Sequence, residues 1–313
     1  MEILAIFGPT GVGKTAVAVA LAERLRARGE EPLAVSADAL QVYRGLEALT
    51  GAAGPLEHAA LEHRLVGVVP VTESFSAGRF AELAHGEIDA ALEAGRRPIV
   101  VGGTGLYLRA ALCELDLRPP PPAELRARIG ERIAELGSRA LHAELQEARP
   151  EAAAAIDPAD RTRVGRALEL LAMGQEPAPA GEDSALWTRA LRRPARLFGL
   201  TMERTALYER IDRRVDELVA AGAADEVRRA EAQGASHTAR KALGYEELLD
   251  GDVEAMKRRS RQLARRQLTW MRKLPEVRII DATERDPAEL AAEIEAESGR
   301  TSRKHSARPC ARG

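Results

Sequence analysis

Glu2–Phe7 (EILAIF), then Gly8-Pro9-Thr10-Gly11-Val12-Gly13-Lys14-Thr15, then the periodic stretch Lys14–Arg28 decide the fold. The apolar run reads as a buried strand. Val17, Leu21 and Leu25 fall on one helical face, and Gly29 ends that helix. The loop between them matches G-x-x-x-x-G-K-[ST], in the strand–loop–helix setting the motif needs. Its backbone N–H groups and the helix N-terminus would cradle phosphate oxygens, Lys14 would reach the terminal phosphate, and Thr15 would ligate magnesium. Lys14 is the only lysine before position 241, in a chain whose 46 lysines and arginines include just five lysines. The wide planar fork of arginine does not fit so tight a ring, so lysine here points to a di- or triphosphate site.

Working outward, Pro32–Ser36 reads as a second strand, Arg64–Val69 as a third, and Ser76–Ala94 as a helix stopped by Gly95. Pro98–Val101 is a fourth strand running into Gly102-Gly103-Thr104-Gly105. Strands alternating with helices predict an α/β fold: a P-loop NTPase-like parallel sheet flanked by helices, with the active site at the strand C-termini. The pattern changes at Arg118 and Pro119–Pro122, and no good strand follows before about Pro194. The expected organisation is a catalytic core of residues 1–117 and 195–298 interrupted by an all-helical insertion, 118–194. In the core, Arg196–Leu200 returns to the sheet, long helices fill about Glu203–Leu274, and Val277–Ile280 is a last strand. Residues 299–313 (GRTSRKHSARPCARG) are expected to be a basic, disordered tail.

A chain of 313 residues, 45% hydrophobic and 30% charged, can build a large core, and its formal net charge of −2 gives no global bias toward nucleic acid. Cys113 and Cys310 suggest neither a metal site nor a disulfide framework, which fits a reducing cytoplasm. No signal peptide and no apolar run of membrane-spanning length is evident, so a cytoplasmic protein is expected. The charge is uneven, however. Lys257–Lys273 holds eight basic residues and no acidic one, with Met256, Leu263 and Trp270 recurring every seventh position. A helix that buries that stripe and turns its arginines outward is an electrostatic footprint for a polyanion, against the plainer reading of a solvated face. Arg161, Arg163 and Arg166 form a smaller cluster. Arg210, Arg213 and Arg214 are interleaved with Glu209, Asp212 and Asp216, for which intrahelical ion pairs are the default.

The fourth strand ends without the acid of a motor-type ATPase, and no Asn-Lys-x-Asp motif for guanine occurs. The acid instead follows the second strand, in Ser36-Ala37-Asp38-Ala39-Leu40-Gln41, where a carboxylate can face the phosphate loop. That suits a base for an acceptor nucleophile; helix capping is the other reading. Gly102–Gly105 either admits a ligand close to the backbone or is an ordinary strand-to-helix turn.

The ordered set GPTGVGKT (8–15), SADALQVYRG (36–45), VGGTGLYLRAA (101–111), RTRVGRALE (161–169), LYERIDRRVDEL (207–218), KALGYEE (241–247) and RQLARRQLTWMRK (261–273) resembles the tRNA dimethylallyltransferases, or tRNA isopentenyltransferases, over about residues 2–281. The resemblance implies transfer of a dimethylallyl group from dimethylallyl diphosphate to N6 of the adenosine 3′-adjacent to the anticodon. Asp38 would be the general base, with Lys14, Thr104 and Arg214 the other catalytic residues. Gly8, Pro9, Thr10, Gly11, Val12, Gly13, Lys14 and Thr15 would hold the diphosphate, with Thr15 on Mg2+. The positions implied for the tRNA anticodon stem-loop are Asp38, Ala39, Leu40, Gln41, Thr104, Arg126, Thr162, Arg163, Arg166, Lys241, Gly244, Tyr245, Arg265, Arg266, Gln267, Trp270 and Arg272. A monomer is expected. The alternatives are an adenylate isopentenyltransferase acting on free AMP, ADP or ATP, a small-molecule or nucleotide kinase, and an RNA-binding protein with a degenerate nucleotide site. The helical insertion and basic helix argue against the first, and intact Lys14, Thr15 and Asp38 against the last. Two departures from the family pattern stand near the expected substrate entrance: Leu49-Thr50-Gly51-Ala52-Ala53-Gly54-Pro55 is longer than its counterpart and lacks a lysine, and Ala39 replaces a common serine.

Overall fold

The computed structural model describes residues 1–177 and 190–305. The strands are β1 (Ile3–Phe7), β2 (Pro32–Ser36), β3 (Tyr43–Arg44), β4 (His63–Arg64), β5 (Val69–Pro70), β6 (Arg97–Gly102), β7 (Ala195–Thr201) and β8 (Val277–Asp281). Six of them form one sheet in the order β4-β2-β6-β1-β7-β8, every neighbouring pair parallel. All five residues of β1 are buried, as a central parallel strand covered on both faces requires. The chain leaves β1 toward β2 on one side and later returns to β7 on the other, which opens a crevice at the C-terminal end of β1.

The helices preceding the insertion are α1 (Lys14–Arg26), α2 (Glu47–Thr50), α3 (Pro55–Ala60), α4 (Ala77–Glu93) and α5 (Gly105–Leu112). The helices α6 (Ala123–Leu136), α7 (Ser138–Ala148), α8 (Pro150–Ala154) and α9 (Arg161–Ala172) follow, then α10 (Arg204–Ala220), α11 (Ala223–Ala232), α12 (Tyr245–Leu249), α13 (Val253–Met271) and α14 (Pro287–His305). Val17, Leu21 and Leu25 of α1 join Leu290, Ala291 and Ile294 of α14 over Leu4 and Ile6 of β1 in one core. Arg24 and Arg28 reach Glu295 along the rim of that packing.

The chain divides into two compact units, Met1–Cys113 with Ala190–Gly313, and Glu114–Arg189. The second unit is helical in its described residues. Ile129, Ile133, Leu141 and Val164 form one small core and Leu145, Ala153 and Ala167 another. Gly165 lets α6 approach α9, since a Cβ there would lie 2.8 Å from Ile133 Cδ1.

Three expectations need correction. Arg64–Val69 is not one strand: Leu65 and Gly67 both adopt φ 61°, which breaks the extended chain into β4, paired with β2, and β5, paired with β3 in a separate two-stranded ribbon. The tail is not irregular from Gly299 onward, because α14 runs on to His305; a helix nucleated by packing on α1 propagates at one hydrogen bond per added residue. Residues 306–313 lie outside the described residues. The buried stripe of α13 is Met256, Ser260, Ala264, Gln267 and Met271, while Leu263 and Trp270 are only half-buried. A straight α-helix buries a 3.6-residue period rather than a strict heptad.

The chain rejoins the sheet through an ion pair. Arg192 and Arg193 both hydrogen-bond the Asp89 carboxylate on α4, and the Arg192 amide donates to Leu112 O at 2.8 Å. The two guanidiniums, Arg192 foremost, hold Asp89 down at about 2 from its ordinary 3.8. Because the folded value is the lower one, this stabilisation is complete above pH 3.8 and is lost as pH falls toward 2. Asp89→Asn is expected to reduce stability at neutral pH by about 1 kcal/mol, a deficit that shrinks as pH is lowered through that window. Urea unfolding at a series of pH values measures it, and a deficit independent of pH would show that the charge is not the cause.

Candidate active site

Three strand ends meet at one rim of the sheet. β1 ends at the phosphate-binding loop, β6 at Gly102–Gly103, and β2 one residue before the turn that carries Asp38. The strand order β2-β6-β1 therefore sets the glycine turn between the carboxylate and the loop. The fit is tight: Ala37 N donates to Val101 O at 2.8 Å, and a Cβ on Gly102 would stand 2.2 Å from Ala37 O. Glycine at 102 is thus required by the approach of the β2 end, a contact within the protein rather than with a ligand.

In the loop, Gly11 and Gly13 have φ of 82° and 98°, in the left-handed region glycine occupies without strain. Gly13 caps α1, whose first turn carries no acidic side chain, so an anion meets no repulsion there. Lys14 Nζ folds back onto Gly8 O at 3.0 Å and Pro9 O at 2.9 Å. Burial depresses it to about 7 from 10.5, with Arg214 adding to the effect and Asp38 opposing it. Burial likewise pulls Arg214 below its ordinary value, against the attraction of Asp38. Asp38 Oδ1 accepts from Leu40 N at 3.0 Å, which orients the carboxyl within its turn.

These groups line one cavity of about 430 Å³. Its polar lining includes Thr10, Gly13, Lys14, Thr15, Asp38, Gln41 and Arg214, and its apolar lining Leu49, Leu218, Leu243, Met256 and Leu263. Gly102 and Gly103 also line it; Thr104 follows as the N-cap of α5 and is not among the lining residues, nor is Ala39. Arg214 is brought here from α10 rather than left in a surface ion pair.

Arg214 is held by a contact that no motif announces. Its Nη2 donates to Gly51 O at 3.1 Å, where Gln41 Nε2 also reaches at 3.4 Å. Gly51 ends α2 with φ 55°, and a Cβ there would lie 2.1 Å from Arg214 Nη2. The other end of α2 is fixed by Glu226 of α11, whose carboxylate accepts from Ala48 N at 3.0 Å and Leu49 N at 2.9 Å. The atypical 49–55 segment is thus the support on which Arg214 rests. Sequence reasoning missed Gly51 and Glu226 because the spacings that join them to Arg214 exist only in the fold.

The residues implied for RNA separate by exposure. On α13, Lys257 pairs with Asp216 at 2.8 Å, Arg261 with Asp212 at 2.6 Å, and Arg259 with Glu247. Arg265, Arg266 and Arg272 are exposed and have no acidic partner among the described residues. The acids that neutralise the first half of the helix come from α10 and α12, so a count along the segment could not find them. Lys241 is exposed, but Gly244, Tyr245 and Gln267 are buried. The Tyr245 hydroxyl donates to Glu231 at 3.0 Å, and Trp270 lies over Gly105. In the helical unit, Arg126 and Arg166 share Glu169 at 3.7 and 3.2 Å, Arg163 faces Asp160 at 3.5 Å, and Thr162 is exposed.

Residues 41–274 match the family described as IPP transferase, and residues 1–69 the one described as isopentenyl transferase. The chain is 43% identical over 282 residues to the tRNA dimethylallyltransferase of Anaeromyxobacter sp., covering 87% of this chain and 92% of that protein. It is 38% identical over 309 residues to that of Geobacillus thermodenitrificans, covering 94% of each. The crystal structure of the full-length tRNA isopentenylpyrophosphate transferase of Bacillus halodurans matches with TM-score 0.68 at 35% identity, covering 97% of this chain and 98% of that one. A eukaryotic dimethylallyltransferase solved acting on tRNA shares the fold, with TM-score 0.72 at 23% identity, covering 99% of this chain and 81% of that one.

The depressed Lys14 generates a proton-linkage expectation. Near pH 8 its amine is mostly neutral in the free protein, and a bound diphosphate restores the charge. Calorimetry of inorganic diphosphate binding near pH 8, in buffers of different ionisation enthalpy, is expected to show up to about one more proton taken up by the wild type than by Lys14→Met. The difference should vanish near pH 5.5, where Lys14 is already charged. Equal proton uptake at both pH values would refute it.

Proposed function

We propose, from the premise that the chain belongs to the IPP transferase family, that it is an enzyme transferring a dimethylallyl group to an adenosine of tRNA. Dimethylallyl diphosphate is the donor in this reading and N6 of the adenosine 3′-adjacent to the anticodon is the acceptor. The observation that carries it is the gathering of Lys14, Thr15, Asp38 and Arg214 around one cavity that also has an apolar lining.

In the reaction the donor C1–O bond breaks as an N6–C1 bond forms, pyrophosphate departs and the N6 proton goes to Asp38. Negative charge grows on the leaving diphosphate, where the loop amides, Lys14 and Arg214 are already in place; preplaced charge lowers such a barrier without reorganisation. The N6 lone pair is delocalised into the adenine ring, so a base helps as bonding to carbon develops. Leu49, Leu218, Leu243, Met256 and Leu263 offer a dry wall for the five-carbon chain. The residues fit Mg2+: the Thr15 hydroxyl borders the cavity, has no protein partner among the described residues, and with diphosphate oxygens gives a hard oxygen set. When bound, the ion would neutralise charge on the diphosphate.

The adenosine must leave its stack to reach Asp38. Arg265, Arg266 and Arg272 suit the phosphates of the stem-loop, which position the RNA while the pocket reads the base. Transfer to free AMP, ADP or ATP is not favoured, since the relatives act on tRNA by name and a free nucleotide needs no such surface. No helix among the described residues is long and apolar enough to cross a membrane. A monomer working in the cytoplasm completes the reading.

Two outcomes test it. Labelled dimethylallyl diphosphate with magnesium is expected to label an adenosine of unmodified tRNA and not free AMP, ADP or ATP. Asp38→Ala should lower kcat about 10²–10⁴-fold with tRNA still bound; label on free nucleotide, or a wild-type rate in that variant, contradicts the assignment. Separately, neutralising Arg265 and Arg266 should weaken tRNA binding and flatten the log–log salt dependence by roughly one for each phosphate left without its arginine. Filter binding across a salt series reads this directly.

A further inference from the structure

We propose that Gln267 is a positioning residue that holds the phosphate-binding loop and the Gly102–Gly105 turn at a fixed spacing, rather than a contact for RNA. The inference rests on the proposed transfer reaction, in which the phosphate-binding loop holds the donor and Gly102 and Gly103 border the same cavity.

Gln267 sits on the inward face of α13, between the exposed Arg265 and Arg266 and the exposed Arg272. It is 7% exposed, and both ends of its amide are engaged inside the protein. Oε1 accepts from Thr10 N at 2.8 Å, and Nε2 donates to Gly103 O at 2.9 Å. The pattern fixes the amide's orientation, because a backbone N–H demands the oxygen and a carbonyl demands the nitrogen. The two loops belong to different strand ends, and this side chain from a third element spans them. The seat allows nothing larger: a Cβ on Gly103 would come within 2.4 Å of Nε2. The Thr10 amide is thereby turned to Gln267, beside the cavity that Thr10, Gly13 and Lys14 line. Thr104 follows directly on the Gly103 carbonyl. Removing the side-chain amide leaves a donor and an acceptor of two reactive loops unmatched, and a shift of about 1 Å between reacting groups is worth about 10²-fold in rate. The same helix presents its arginines outward one residue away, so the surface offered to RNA and the clamp on the reaction centre share one rigid element.

The test compares wild type, Gln267→Met and Gln267→Glu as full chains. Gln267→Met fills the space but lacks both hydrogen bonds. Gln267→Glu keeps an acceptor for Thr10 N and loses the donor to Gly103 O. Measured are kcat and the donor KM in single- and multiple-turnover transfer, the tRNA Kd by filter binding, and the melting temperature. The expected result is a kcat about 10²-fold lower in Gln267→Met, an intermediate kcat in Gln267→Glu, and tRNA Kd within about twofold of wild type in both. A tRNA Kd raised about tenfold or more with kcat retained at saturating tRNA would make Gln267 an RNA contact and overturn the proposal, as would unchanged kinetics. Should Gln267→Met fail to melt cooperatively, Gln267→Glu decides by the same split. Failure of the wild type to transfer would instead remove the proposed function. Binding of inorganic diphosphate then decides for Gln267: weaker binding in Gln267→Met supports the clamp, and equal binding overturns it.

Discussion

The site depends on one steric constraint, the contact between the ends of β2 and β6. Ala37 N bonds Val101 O at 2.8 Å, and the next residue on β6 has no room for a Cβ against the Ala37 carbonyl. That approach places Asp38 across a two-glycine turn from the phosphate-binding loop. A residue with any side chain at 102 would separate the strand ends and draw Asp38 away from the phosphate-binding loop. The core below is built to hold this arrangement, with β1 buried on both faces and α1 and α14 packed over it.

Around that constraint the electrostatics are incomplete. Lys14 and Arg214 share a cavity with Asp38, Glu57 and Glu217, and burial works against the charge of both cations. In the free protein, Lys14 is satisfied by two carbonyls of its own loop and Arg214 by Gly51 O. In the proposed reaction an incoming diphosphate brings negative charge to these two cations, on the group where charge increases as the donor bond breaks. The supports are remote in sequence: α2 carries Gly51, and Glu226 of α11 caps α2.

The basic helix shows how a local count misleads about a surface. Lys257, Arg259 and Arg261 are answered by Asp216, Glu247 and Asp212 from neighbouring helices, which leaves the C-terminal half as the unrelieved cationic face. Gln267 points the other way from the same turn, into the two loops, so α13 is at once a surface and a brace.

Local sequence was enough to specify most strands of the sheet, the phosphate loop and the position of the acid after β2. A buried strand reads as an apolar run, and G-x-x-x-x-G-K-T works only between a strand and a helix. Pro32–Ser36 was legible to the residue because proline and serine bound it on either side. The Arg64–Val69 stretch was not, because two positive-φ residues interrupt an otherwise strand-like composition. Long-range packing settled the rest. It brought Arg214 from a charge-mixed helix face to the cavity, gave Gly51 and Glu226 their supporting parts, and turned Gly244, Tyr245 and Gln267 inward. Partners separated by more than a hundred residues leave no periodicity to read; only the closed fold puts them within a hydrogen bond of one another.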